Sequence, residues 1–167
     1  MGAMRTALAS EDLLYSRMDT PIGSLLLVGR RGQLTGLFVN DHDHCPELRP
    51  HWKEDDDALA APRRQLVEYF DGGRRDFDLD LFLDGTPFQV GVWSALRDIP
   101  YGETISYGEL ARRVGRPGAS RAVGAANGRN PISIIVPCHR VIGSDGTLTG
   151  YGWGTDRKAW LLHHEGL

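Results

Sequence analysis

The stretch SYGELARRVGRPGASRAVGAANG, from Ser106 to Gly128, reads as two short helices around a tight turn. Ser106 followed by Glu109 is a capping box, in which a hydroxyl and a carboxylate three residues apart satisfy each other's backbone amides; it opens a helix over Tyr107 to Val114. Gly115 stops that helix, because the residue just past a helix end commonly takes a left-handed conformation that glycine adopts without strain. Beyond Gly115-Arg116-Pro117-Gly118 a second helix is predicted from about Ala119 to Gly128. Two helices joined in this way form a helix-turn-helix pattern, which binds DNA in some proteins and is plain core packing in many others.

Working outward, Thr86-Pro87 pairs an N-cap with a first-turn proline, and Phe88, Val92, Trp93 and Leu96 then recur at helical spacing up to Ile99-Pro100-Tyr101-Gly102. A last helix is predicted over Thr155 to His164, with Thr155 as N-cap and Gly166 just past the end. Before Gly85 the texture changes. Leu13 to Asp19, Ser24 to Gly29 and Leu34 to Val39 are short apolar runs separated by turn residues, which predicts a three-stranded antiparallel meander. Pro62 to Phe70 then fits an amphipathic helix closed by Gly72-Gly73, and a further short strand is predicted around Phe77 to Leu83. The chain is therefore expected to be α+β, with a sheet-and-helix domain over residues 1–84 and a mainly helical domain over residues 85–167. Residues 1–12 are expected to be flexible.

With 167 residues, 41% of them hydrophobic, the chain can bury an ordinary core. No apolar run approaches the ~20 residues that span a bilayer, and Glu11 and Asp12 stand where a signal peptide would carry its apolar core. The protein is expected to be cytoplasmic, with no membrane partner. The net charge of −3 conceals two halves of opposite sign. Up to Gly85, 10 Lys and Arg face 16 Asp and Glu, giving −6; from Thr86 onward 9 face 6, giving +3. A polyanion would thus meet attraction only from the second half, unless the asymmetry is ordinary variation in composition.

Cys138 and His139 stand out as chemistry, since a cysteine reacts as its thiolate and needs a proton acceptor nearby. A buried structural cysteine is the alternative. Glu165, at the end of the last helix, is placed to orient His139 and stabilise its protonated form, whereas His163 and His164 read as a solvated helix end. His42, His44, Cys45 and His51 lie within ten positions, but their spacing matches no standard zinc finger and no metal is expected. Cys45 and Cys138 do not resemble a secreted disulfide framework.

Pro100-Tyr101-Gly102-Glu103-Thr104, Ser106-Tyr107, Arg121-Ala122-Val123-Gly124, Asn130-Pro131, Ile135-Val136-Pro137-Cys138-His139-Arg140-Val141, Gly150-Tyr151 and Glu165-Gly166 occur together and in order. In these motifs the chain resembles the O6-alkylguanine-DNA alkyltransferases, strongly from about Thr86 to Gly166 and weakly before. The resemblance implies an RNase H-like first domain and a winged helix-turn-helix-like second one. It implies single-use transfer of an alkyl group from O6-alkylguanine, and less readily O4-alkylthymine, to Cys138. The lesion must leave the base stack to be reached, here through the minor groove.

Carried over residue by residue, the resemblance makes Cys138 the nucleophile, His139 a water-mediated base, Glu165 its orienter and Tyr107 the phenol that protonates guanine N3. Asn130 ties the active-site turn together. Arg121 is the finger that fills the vacated space, and Ala122, Gly124 and Ala125 let its helix approach DNA closely. Main-chain groups of Cys138, Val141 and Gly152 read the base, with Tyr151 and Trp153 on the pocket wall and Ser133 at its edge. Trp153 stands where many relatives have glycine, and Ser133 where some have proline. No cofactor is implied, and double-stranded DNA carrying an alkylated guanine is the expected partner of a monomer, with cooperativity on DNA as an open alternative. Three rivals remain at this point: a lesion-binding module without chemistry, which Cys138 argues against; a thiol hydrolase using Cys138, His139 and Glu165; and a sequence-specific helix-turn-helix regulator.

Overall fold

A computed structural model of the chain describes residue 8, residues 10–42 and residues 44–167. The chain divides into two compact units, Met1–Asp84 and Gly85–Leu167.

In the first unit β1 (Leu14–Thr20), β2 (Gly23–Arg30) and β3 (Gln33–Val39) form the antiparallel meander. Both hairpin turns are two residues long, and Gly32 takes a φ of 81°, the left-handed geometry that tight hairpins demand. A fourth strand, β4 (Lys53–Glu54), pairs in parallel with β1, giving the order β3-β2-β1-β4. Two exposed charged residues carry no hydrophobic alternation, so nothing in the sequence marks this strand. The strand expected around Phe77 to Leu83 reduces to one parallel bridge between Leu34 and Leu81.

Leu25, Leu26, Leu27 and Val28 of β2 are buried in succession, so both faces of the sheet are covered. One face packs Leu26, Val28 and Phe38 with Leu8, Leu13 and Trp52. Helix α1 (Ala60–Phe70) contacts β1 and buries Leu66 and Tyr69. A buried side chain of the size of Leu66 stabilises by roughly 1.5–3 kcal/mol. The flexibility expected of residues 1–12 falls in part on residues 1–7 and 9, outside those described. Of the remainder, Leu8 is buried and Glu11 makes a two-point pair with Arg30 at 2.5 and 2.9 Å.

In the second unit α2 (Pro87–Leu96) opens on a complete capping box formed by Thr86 and Gln89. Its Trp93 is buried and donates its indole N–H to the Ala126 carbonyl at 2.8 Å. β5 (Ile105–Ser106) leads into α3 (Tyr107–Arg113), and α4 (Ser120–Gly128) follows across the turn. Ser106 caps α3 by accepting from the Glu109 amide at 3.1 Å. The reciprocal half of the expected box is replaced, because Glu109 pairs with Arg112 and Arg113 at 2.8 and 3.1 Å. A charge-assisted bond within the next turn is stronger than one to a neutral amide. Gly115, at φ 75°, ends α3, with Arg116 N donating to Ala111 O and Gly115 N to Arg112 O.

A 3₁₀ turn (Cys138–Arg140) leads directly into β6 (Val141–Ile142), which pairs in parallel with β5, so the strand that launches Tyr107 lies beside the strand that follows Cys138. The last helix, α5 (Thr155–His164), is capped by Gly154 at φ 94° and not by Thr155 as the sequence predicts. Thr155 already lies inside the first turn, where its hydroxyl reaches the Leu148 carbonyl at 3.5 Å. No helix among the described residues is long and apolar enough to cross a membrane.

Candidate active site

Cys138 is presented by two unusually tight turns. Ile135 N donates to Ser133 O at 2.9 Å across Ile134, whose φ of 73° places a β-branched residue in left-handed space. Such a turn is rare and costs roughly 1–3 kcal/mol, which the surrounding structure must offset. Cys138 N then donates to Val136 O at 2.8 Å across Pro137. Asn130 binds the turn from outside, donating Nδ2 to Val136 O at 2.7 Å and accepting from Ile132 N at 3.0 Å. The result sets Ser133 Oγ 3.7 Å from Cys138 Sγ. Burial pushes the thiol pKa up, outweighing the hydrogen bonds from Asn130 and Ser133 and the charge of Lys158. The sulfur therefore rests as a thiol and needs a base to react.

His139 and Arg140 follow within the 3₁₀ turn, and both converge on Glu165, the C-cap of α5. His139 Nε2 lies 2.7 Å from Glu165 Oε2, and Arg140 reaches the same carboxylate through Nε at 2.8 Å and Nη2 at 3.1 Å. Arg140 also donates to the Ile99 carbonyl at 2.6 Å. Burial opposes the charge on Glu165, but His139 and Arg140 together outweigh it and hold the carboxyl well below the usual range. Burial likewise lowers the His139 pKa against the pull of Glu165. Nε2 therefore carries the proton and donates it to Glu165, leaving Nδ1 as a lone-pair acceptor. Nδ1 is buried and has no hydrogen-bond partner among the described residues.

Lys158, on α5, escapes the sequence reading. It is fully buried, and its Nζ donates to Val141 O at 2.5 Å and Thr149 O at 3.0 Å, with the Tyr107 hydroxyl at 3.5 Å. Burial lowers its pKa to about 8, although the Cys138 sulfur pulls the other way. The available signal was spacing: Lys158, Leu161, Leu162 and Glu165 fall on one helical face, and all four are buried. Tyr107 donates its hydroxyl to Thr149 O at 2.5 Å, and burial pushes its pKa up to about 12, so the phenol stays protonated. Arg140 and Asn127, which donates Nδ2 to Cys138 O at 3.2 Å, are likewise unassigned by the sequence.

The remaining candidates divide by surface. Val141, Ser133, Tyr151 and Trp153 are buried and Gly152 is half-buried, with the Tyr151 and Trp153 rings edge to face at 6.3 Å. On α4, Arg121, Ala122 and Ala125 are exposed. Gly124 is half-buried beside Tyr107, and an added Cβ would meet that ring at an ordinary contact distance of 3.6 Å. His164, at the end of α5, stacks on Trp160 with ring centroids 5.0 Å apart. In the first unit His42 Nδ1 accepts from His44 N at 3.1 Å. No group of three or more His, Cys, Asp and Glu side chains among the described residues is placed to hold a metal ion.

Two family models match the chain. The 6-O-methylguanine DNA methyltransferase ribonuclease-like domain matches residues 13–83, and the DNA binding domain of the same family matches residues 87–167. The methylated-DNA--protein-cysteine methyltransferase of Mycolicibacterium paratuberculosis is 55% identical over 148 residues, 89% of each chain. The protein of that name from Salmonella typhimurium is 62% identical, covering 92% of this chain and 96% of its own. A Mycobacterium tuberculosis OGT solved in complex with DNA superposes with a TM-score of 0.85 at 53% identity, covering 91% of this chain and 92% of that one. With both halves matched and identity above half over nearly the whole length, the chain belongs to the 6-O-methylguanine DNA methyltransferase family.

Proposed function

We propose that this protein repairs DNA by direct reversal, taking the alkyl group from O6 of an alkylated guanine onto the sulfur of Cys138. The observation that carries the reading is the buried thiol of Cys138 next in sequence to an imidazole that is bonded to Glu165 on one side and, among the described residues, has no hydrogen-bond partner at Nδ1 on the other. His139 Nδ1 takes the thiol proton through a water. Sγ then forms a bond to the alkyl carbon as the carbon–O6 bond breaks and its electron pair passes to guanine. Tyr107 supplies a proton at N3, so guanine leaves neutral. The product is a thioether without a competent leaving group, and the protein acts once per lesion without a cofactor.

Duplex DNA is the partner in this reading. The exposed face of α4 enters the minor groove, with Ala122 and Ala125 allowing close approach and Arg121 filling the space left by the extruded base. Gly124, half-buried on the same helix, adds no side-chain bulk to that approach. Carbonyls of Cys138 and Val141 and the amide of Gly152 read the base, against a wall of Tyr151 and Trp153 with Ser133 at its edge. O4-alkylthymine is a poorer substrate, and the protein works in the cytoplasm as a monomer. Incubation with duplex containing O6-methylguanine should raise the mass of the Cys138 peptide by one methylene. No such increase, or repeated turnover on an ester, would sink the proposal.

A further inference from the structure

Ser133 and Cys138 are five residues apart in the chain, and both are buried. The Ser133 hydroxyl meets one hydrogen-bond partner among the described residues, the sulfur of Cys138 at 3.7 Å. Buried hydroxyls are ordinarily satisfied by a backbone group or a water, and a thiol is a weak partner in either direction. Strained backbone brings the pair together. Ile134, at φ 73°, turns the chain back directly after Ser133, and the turn bridges Ser133 to Val136, two residues before the nucleophile. A β-branched residue in left-handed space persists only where its surroundings impose it, and such strain gathers at functional sites.

Hydroxyl and thiol can each donate to the other. Once the thiol proton has passed through water to His139, the sulfur has no hydrogen left and only Ser133 can donate. A hydrogen bond to an ionised acceptor is about twice as strong as one between neutral groups, so the pair favours the thiolate over the thiol. Burial works in the opposite sense on Cys138, and Ser133 offsets part of that effect. The other titratable groups around the sulfur are Lys158 on α5, whose charge also favours the thiolate, and the protonated phenol of Tyr107 on α3. Beside it stands the neutral imidazole of His139, with Glu165 and Arg140 beyond. We propose that Ser133 is a catalytic residue for the alkyl transfer of the reading above, on which this inference rests: its hydroxyl donates to the Cys138 sulfur as the thiol proton leaves and holds the thiolate until it attacks. Ser133 keeps its own proton throughout. As the bond from Sγ to the alkyl carbon forms and the carbon–O6 electron pair passes to guanine, the sulfur loses its charge and the hydrogen bond relaxes.

The test measures iodoacetamide labelling of the Cys138 peptide at neutral pH and, separately, single-turnover transfer from duplex containing O6-methylguanine. Wild type, Ser133→Ala and Ser133→Thr are compared, with circular dichroism as the control for folding. Alanine removes one oxygen and obstructs nothing, so a merely loosened or more open site would label faster. Loss of the hydrogen bond should instead make the thiolate about tenfold scarcer, while its greater basicity returns about threefold in nucleophilicity. Labelling and transfer should therefore each slow by about threefold in Ser133→Ala. Threonine keeps the hydroxyl and should restore both rates. Labelling of Ser133→Ala at or above the wild-type rate would reduce Ser133 to a wall of the pocket and overturn the inference. Equal losses in both variants would trace the effect to packing and overturn it as well. Wild type that labels with iodoacetamide but leaves the lesion untouched would instead overturn the repair reading, while the labelling rates would still decide the role of Ser133.

Discussion

Arg140 and Glu165 meet in two hydrogen bonds, Nε to Oε1 at 2.8 Å and Nη2 to Oε2 at 3.1 Å, with both side chains almost wholly buried. The carboxylate that orients His139 is therefore itself clamped, and its two roles cannot be separated by a single change. Removing one partner of a buried pair strands the other charge in a medium that cannot solvate it.

Glu165→Gln should accordingly lower stability by about 3–5 kcal/mol, the usual cost of breaking a buried pair from one side. Urea unfolding followed by circular dichroism measures it. The double change Arg140→Met with Glu165→Leu should recover much of that loss, because neither charge of the pair is left buried without the other, while transfer to Cys138 stays impaired for want of the His139 partner. A single variant as stable as wild type would show that the clamp bears no weight.

Acid should destabilise the fold in two stages. His139 is held neutral by burial, so below its ordinary value of 6.5 the unfolded chain takes up a proton that the folded one refuses. Glu165 is held ionised, so below 4.5 the unfolded chain again binds the extra proton. Both effects have the same sign: stability is fullest above pH 6.5 and declines as pH falls through each value. The urea midpoint against pH should show this, and His139→Gln should flatten the upper stage. Stability rising on acidification from pH 7 to 5 would contradict the assignment of a neutral imidazole.

The helices, the first three strands and the contact of His139 with Glu165 were legible because each has a local signature: caps, alternation, and a carboxylate at the end of an amphipathic helix. Lys158 and Arg140 were not, because a long cation declares itself buried only when carbonyls from distant segments, such as those of Val141, Thr149 and Ile99, close around it. Ser106 and Glu109 gave half of the expected cap for a related reason, since Arg112 and Arg113 compete for the same carboxylate. The strained Ile134 is equally silent in sequence, as isoleucine is among the last residues a positive φ would suggest.

Gly150→Ala should uncouple the phenol from the nucleophile. Gly150 holds a φ of 78°, and a Cβ there would collide with the Tyr107 hydroxyl. The left-handed backbone alone costs an alanine about 1–2 kcal/mol, and the clash moves the ring from the Thr149 carbonyl. Loss of a positioned acid slows a reaction by about 10²-fold or more. Single-turnover transfer from O6-methylguanine should fall by that order, while iodoacetamide labelling of Cys138, which needs no protonated leaving group, should change little. Equal losses in both assays would place the damage at the thiol.

Cys138→Ser and Arg121→Ala should separate chemistry from extrusion. The Cys138 side chain is buried, away from the exposed face of α4, so serine there should abolish transfer and leave duplex affinity close to wild type. Arg121 is exposed at the start of α4, whereas Cys138, His139 and Glu165 are buried, so its removal should spare the reaction with a free O6-alkylguanine base. On duplex the same variant must extrude the lesion without a side chain to fill the gap, and unstacking costs a few kcal/mol. Repair of duplex should therefore slow far more than reaction with the free base. If Arg121→Ala slowed both by the same factor, the arginine would be acting on the pocket and not on the DNA.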